Sequence, residues 1–341
     1  MSKISPLAYI HPEAIIGENC EIGAFCYIDQ GVVIGNNNTL MNSVTVLYGS
    51  RIGDNNTIFP GAVIGAIPQD LKFRGEDTTA EIGNNNTIRE NVTINRGTAA
   101  KGKTVVGSNN LLMEGMHVAH DAIVGNGCII GNGTKLAGEI IIDDNAILSA
   151  NVLLHQFCRV GGYTMVGGGT RASQDILPYS LIARDPAAFC GLNTVGLRRR
   201  EFEREIINNI HKTYQIILQG TGKLNDLLER VEQERNAQHR ERPADRAAAG
   251  FQHEEDQGDR RERVKPGDPL ERIVENIVCD VHEVPAARQR DHGEDDIIPR
   301  DLGFLFAVLA LEGGLEEEDE RQHEGQMHAS LDDVGIGAAP S

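Results

Sequence analysis

The chain has 341 residues, of which 40% are hydrophobic but only 4% aromatic, with 38 glycines and no tryptophan. A core built on large rings is therefore excluded, and one of small, regularly spaced side chains is expected. The formal charge of −18 is uneven: residues 1–235 hold 20 Lys and Arg against 24 Asp and Glu, and residues 236–341 hold 12 against 26.

Charge and hydropathy narrow the function classes further. The nearly neutral first two-thirds gives no footprint for nucleic acid. The longest apolar run, Leu302 to Leu311, is about half the length of a membrane span. No apolar segment of signal-peptide length opens the chain, so a cytoplasmic location is expected. The six cysteines lack close pairing motifs and do not suggest a disulfide scaffold.

In chain order, the first pattern is a repeat of six. Ile10, Ile16, Ile22, Ile28, Ile34, Leu40, Val46, Ile52, Ile58 and Ile64 hold one register. It resumes at Ile82, Ile88 and Ile94, then runs from Val106 through Leu112, Val118 and onward to Val166. The gaps from 64 to 82 and from 94 to 106 are multiples of six and read as loops extruded from a continuous scaffold. A helix lacks this period, and a half-buried strand repeats every two. Each hexad is expected to be a short strand plus a turn, several hexads making one coil whose stacking buries the aliphatic column. Gly17, Gly35 and Gly53 follow the aliphatic residue, and Asn36-Asn37-Asn38, Asn55-Asn56 and Asn84-Asn85-Asn86 share the turns, where positive φ is often needed. Cys20, Cys26, Cys128 and Cys158 sit four residues after the aliphatic position, beside Ala14 and Ala62 in the same slot, and read as small stacked side chains.

Pro178 and Pro186 bracket the end of the repeats. Phe202, Ile206, Ile210, Tyr214 and Ile217 have helical spacing from about Arg199, Gly220-Thr221-Gly222 breaks it, and Leu224, Leu227, Leu228 and Val231 begin a second helix. This hairpin, residues 191–235, is expected to cap the open end of a domain spanning 1–190. Residues 236–341 form an acidic tail without repeat or motif, expected to be disordered apart from short helices near Pro269–Val278 and Leu302–Leu311, with a frame-shifted or fused origin in view.

Five histidines lie in residues 1–235, and His117, His120 and His155 fall in one part of the column, outside the inward slot. Thirty-five residues separate His120 from His155, close to two coils of three hexads. Three readings stand. His120 is a general base, its imidazole titrating near working pH and steadied by Asp121. Alternatively the three bind a metal, or they are surface side chains.

The wider motif set bears on this. The hexads resemble the hexapeptide-repeat proteins, which implies a mainly β fold, a left-handed parallel β-helix over about residues 8–180, and trimers with sites between neighbouring prisms. Gln69-Asp70-Leu71-Lys72-Phe73, Asn95-Arg96-Gly97, the His117 to Asp121 segment, Leu136-Ala137-Gly138, His155-Gln156 and Asn193 to Arg200 together closely resemble the UDP-N-acetylglucosamine O-acyltransferases over about residues 1–235.

That resemblance implies transfer of an (R)-3-hydroxyacyl chain from acyl carrier protein to the 3-hydroxyl of UDP-N-acetylglucosamine, the first step of lipid A synthesis. It implies no metal and no organic cofactor, and a homotrimer. His120 matches the base, Asp121 its carboxylate, and Gly138 the backbone donor to the oxyanion. Asp70, Lys72, His117, His155 and Gln156 match substrate contacts. Asn193 and Arg199 match nucleotide or phosphopantetheine contacts; Arg200 is a further binding candidate, and the basic triplet from Arg198 could meet the acidic carrier. A basic triplet at a helix start opposes the helix dipole, which favours a binding role over a structural one. Gly168 matches the residue that gauges acyl length, and a glycine there implies a long chain. Glu139 and Val195 depart from the family pattern, without touching the base. The rivals are the N-acyltransferase of the same pathway, whose extra N-terminal domain has no room before Ile10, and a non-catalytic or metal-binding β-helix.

Overall fold

A computed structural model of the protein describes residues 2–219 together with Leu227, Arg230, Val231 and Gln233. The expected acidic tail and its two short helices lie outside the described residues.

The strands are mostly two residues long, and the chain visits three parallel sheets in strict rotation. Lys3–Ile4 starts the first face, Tyr9–Ile10 the second and Ile15–Ile16 the third, and Glu21–Ile22 returns to the first. Ile4 pairs with Ile22, Ile10 with Ile28 and Ile16 with Ile34, so one coil is eighteen residues. The result is a left-handed parallel β-helix of triangular section. Successive strand residues point to opposite faces. The second of each pair therefore points inward, and Ile28, Ile58, Ile64, Ile88, Leu112, Leu136 and Leu148 are fully buried. Each such side chain contributes about 1.5–3 kcal/mol by burial.

The two interruptions behave as the register implies. Ile58 pairs with Ile88 and Ile64 with Ile94, while Ile82 pairs with Val106. Both loops leave the corner between the second and third faces, and the ladder continues beyond them in unchanged register.

The asparagine runs do more than turn the chain. Their members Asn37, Asn55 and Asn85 adopt φ of 56°, 59° and 58°, as expected of corner residues. Asn38, Asn56, Asn86 and Asn110, in contrast, are buried at one corner, in the slot that Cys20 and Cys128 occupy in other coils. The Asn56 N–H donates to Asn38 Oδ1 at 2.8 Å and the Asn86 N–H to Asn56 Oδ1 at 2.9 Å. Asn86 Nδ2 donates to the Gly107 carbonyl at 2.9 Å, and the Asn110 N–H returns to Asn86 Oδ1 at 2.9 Å. This buried amide ladder satisfies backbone groups that the sheets leave over. The sequence reading placed these residues in turns and missed their stacking.

At the far end Ser180–Ala183 pairs antiparallel with Ala188–Leu192, a hairpin the hexad pattern does not announce. Two helices follow, α1 (Thr194–Arg199) and α2 (Arg204–Gln219). Tyr179, Leu197, Ile210, Tyr214, Ile217 and Val231 form a second apolar cluster there, so the helical segment closes this end as expected. The second helix read from Leu224 is described only at Leu227, Arg230, Val231 and Gln233, all helical.

Asn86→Ala deletes one rung, leaving the Asn110 N–H without its acceptor and the Gly107 carbonyl without its donor. We expect a loss of about 2–3 kcal/mol in stability, seen as a lower thermal or urea midpoint with activity retained below it.

Candidate active site

The corner between the second and third faces gathers most of the chemistry. Leaving the strand His117–Val118, the chain turns through Ala119 and His120 to Asp121, which has φ of 60°. Asp is among the few side chains that tolerate this left-handed region. There it turns its carboxylate inward, where the side chain is 0% exposed, while the His120 ring above it is 11% exposed. His120 Nδ1 lies 2.8 Å from Asp121 Oδ2.

The coil length then dictates what stands beside the imidazole. Positions 120, 138 and 156 are eighteen apart and occupy the same place in successive coils. A Cβ on Gly138 would sit 2.6 Å from His120 Cε1, 2.8 Å from His120 Nε2 and 3.3 Å from Gln156 Nε2. Glycine at 138 thus makes room for the ring, a requirement separate from its backbone N–H, which donates no hydrogen bond among the described residues. His155, whose spacing from His120 allows a stacked or an adjacent-edge relation, is one position out of the stacking register. Gln156 takes that place, and the exposed His155 ring contacts the Gln156 carbonyl through Nδ1 at 3.2 Å.

His117 faces outward on the second face, its Nδ1 2.7 Å from Thr93 Oγ1. Burial lowers its pKa below the ordinary histidine value, and Lys135 on the next coil lowers it further. Among the described residues no group of three or more His, Cys, Asp or Glu is disposed to hold a metal.

The first extruded loop leaves the same corner. Asp70 Oδ1 accepts from the Lys72 N–H at 2.9 Å, so Asp70 shapes the turn that carries Lys72. Lys72 is exposed, and Leu71 between them is 94% exposed.

Other expected site residues lie elsewhere. Asn193 caps α1, its side chain accepting from the Gly196 N–H at 3.1 Å and donating to the Tyr163 carbonyl at 2.9 Å. Arg200 stacks on the Tyr163 ring at 5.5 Å and donates to Asn145 Oδ1. Asn145 and Tyr163 belong to the corner between the third and first faces. The basic triplet does not open a helix, as the sequence suggested: Arg198 and Arg199 form the last turn of α1 and Arg200 ends it. Cations are favoured there by the dipole, so the dipole argument for a binding role is overturned. Arg199 is exposed, whereas Arg200 is engaged by the prism. Gly168, exposed with only the Ala150 carbonyl oxygen and Ser149 Cβ near its missing Cβ, lies on the corner between the first and second faces.

Two outcomes follow. Gly138→Ala pushes the imidazole aside without straining the backbone; a displacement near 1 Å costs about 10²-fold, expected in kcat with little change in thermal midpoint. His117 binds its proton more weakly folded than unfolded, so stability is lost as pH falls through the ordinary histidine range near 6.5 and regained as pH rises. His117→Gln should flatten that part of a stability-versus-pH curve measured between pH 7 and 5.

Comparison with known proteins gives the family. A family model described as UDP N-acetylglucosamine O-acyltransferase, domain 2, matches residues 175–248, and one for bacterial transferase hexapeptides (six repeats) matches 103–138. The chain is 42% identical over 235 residues to the acyl-[acyl-carrier-protein]–UDP-N-acetylglucosamine O-acyltransferase of Thermodesulfovibrio yellowstonii, covering 69% of this chain and 91% of that one. It is 40% identical to the enzyme of the same name from Rhizobium johnstonii over 241 residues, 69% of this chain and 89% of that one. The crystal structure of a UDP-N-acetylglucosamine acyltransferase from Bacteroides fragilis is 70% identical with a TM-score of 0.67, covering 68% and 91% of the two chains. With its corner histidine, glycine and glutamine in register, the chain belongs to the UDP-N-acetylglucosamine O-acyltransferase family.

Proposed function

We propose that the protein transfers an (R)-3-hydroxyacyl chain from the phosphopantetheine thioester of acyl carrier protein to the 3-hydroxyl of UDP-N-acetylglucosamine, the first step of lipid A biosynthesis. The single observation that carries the mechanism is the buried His120–Asp121 pair with Gly138 packed on the ring. With Nδ1 bonded to Asp121, His120 Nε2 takes the proton of the sugar hydroxyl as its oxygen attacks the thioester carbon. The resulting oxyanion accepts from the Gly138 N–H, a donor with no other hydrogen-bond partner among the described residues. Collapse breaks the carbon–sulfur bond, and His120 returns the proton to the departing thiolate. The ester forms, the thiol leaves, and neither a metal nor an organic cofactor takes part.

His117, His155, Gln156, Asp70 and Lys72 share the corner and the face beside it and contact the two substrates in this reading. Asn193, Arg199 and Arg200 lie at a different corner of the same prism, and Gly168 at the third. One copy cannot wrap a cleft with all of them, so the site forms between copies, in a homotrimer. The outward columns favour such packing: Leu111, Ile129, Ile147 and Met165 align on the first face, and Val105, Ile123 and Ile141 on the third. Gly168 is three coils along the axis from the coil of His120, about 14 Å at the spacing of neighbouring strands, and leaves room for a long acyl chain. Among the described residues no helix is long and apolar enough to cross a membrane, in keeping with a cytoplasmic enzyme.

The test is acyl transfer from hydroxyacyl carrier proteins of several chain lengths. His120→Ala should lower kcat by about 10³-fold. Gly168→Met should shift preference toward shorter chains. Sedimentation of the intact protein should give three copies; transfer that survives His120→Ala, or a fully active monomer, contradicts the reading.

A further inference from the structure

A buried carboxylate persists only where donors satisfy its oxygens. Three donors meet Asp121. His120 Nδ1 and the Thr98 hydroxyl share Oδ2, at 2.8 Å and 2.6 Å, and the Thr98 N–H reaches Oδ1 at 2.9 Å. Two of the three come from one residue, which is 6% exposed and belongs to the second extruded loop rather than to the hexads. The backbone of Asp121 is fixed as well, its N–H donating to Thr104 Oγ1 at 2.8 Å.

Counting hydrogens makes Thr98 directional. The Ala100 N–H donates to Thr98 Oγ1 at 3.2 Å, occupying a lone pair and leaving the single hydroxyl hydrogen for Asp121. A carboxylate held by two Thr98 donors presents only acceptor oxygen to the imidazole. His120 Nδ1 must then carry the ring proton, which leaves the lone pair on Nε2, the nitrogen that lies against Gly138.

We propose that Thr98 is a positioning residue for acyl transfer, its hydroxyl and N–H fixing Asp121 so that Asp121 fixes the tautomer and orientation of His120. The proposal rests on the reading of His120 as the base. The segment bearing Thr98 is itself pinned: the Arg96 guanidinium, in a side chain 8% exposed, lies 5.4 Å from the Tyr48 ring and 5.3 Å from the Phe73 ring. Phe73 follows Lys72 on the first loop, so the two extruded loops meet directly above the support of the base.

Thr98→Val keeps the shape and removes the hydroxyl; Thr98→Ser keeps the hydroxyl and removes the methyl. Steady-state transfer to UDP-N-acetylglucosamine should show kcat about tenfold lower in Thr98→Val with KM unchanged, and Thr98→Ser within about a factor of two of the wild type. The hydrogen-bonded Nδ1–H proton resonance of His120 should be present in the wild type and in Thr98→Ser, and broadened or absent in Thr98→Val. Wild-type kcat in Thr98→Val with that resonance unchanged overturns the proposal. Should the valine variant fold poorly, Thr98→Ala is compared with Thr98→Ser, and equal rates overturn it. His120→Ala in the same series separates the two failures. If it transfers normally, the base assignment falls and takes Thr98 with it; if it is inactive while Thr98→Val is normal, only the role of Thr98 is lost.

Discussion

In a parallel ladder the strands of one coil bond to those of the next, so residues eighteen apart are held about 4.8 Å from one another whatever their side chains. Everything at the corner of His120 answers to that spacing. A ring at 120 is flanked by whatever stands at 138, and the spacing leaves too little room for any side chain there. The polar partner of the ring comes instead from the next residue of its own corner, Asp121, and the support of that carboxylate from chain that departs from the ladder. The two extruded loops are the places along this corner where the chain can reach back over its neighbours.

The corner also explains how a solenoid acquires a buried histidine–carboxylate hydrogen bond. Most corner residues at positive φ are glycines or asparagines on the surface. Asp121 uses the same backbone conformation to place its carboxylate under the adjacent side chain; the Thr98 hydroxyl and N–H donate to that carboxylate, and Thr104 Oγ1 accepts the Asp121 N–H. Local geometry imposed by the fold is converted there into an oriented imidazole. His117, by contrast, stays on the flat face, where burial and then Lys135 disfavour its protonated form.

The legibility of the sequence follows the same division. The aliphatic period, the two insertions in register and the helical closure could all be read, because side-chain direction in a strand is fixed by position alone. His120 and Asp121 stood out as adjacent polar residues off the inward slot. What eluded the sequence depended on contacts between coils. Asn86 looks like any turn asparagine until it is stacked on Asn56, and Thr98 is one of many loop threonines until the loop folds back. The arginine triplet misled because a six-residue helix before it, begun by Asn193, has no hydrophobic period to reveal it. The relation of His155 to His120 was judged to within one residue, which in a structure of period eighteen is enough to exchange the stacking partner.

The thiols that stand in for asparagines at the ends of the amide ladder have a practical side. Cys20 and Cys128 hydrogen-bond to carbonyls within the prism, and burial pushes the Cys128 thiol up to about 11. Cys26 and Cys158 are likewise buried, so of the five cysteines among the described residues only Cys190, on the terminal hairpin, faces solvent. With Cys279, outside the described residues, replaced, a maleimide or nitroxide probe applied to the folded protein would thus attach beside the helical closure rather than at the corner of His120. The native sequence already carries a reporter for motions of that end, and the remaining described thiols need no replacement before it is used.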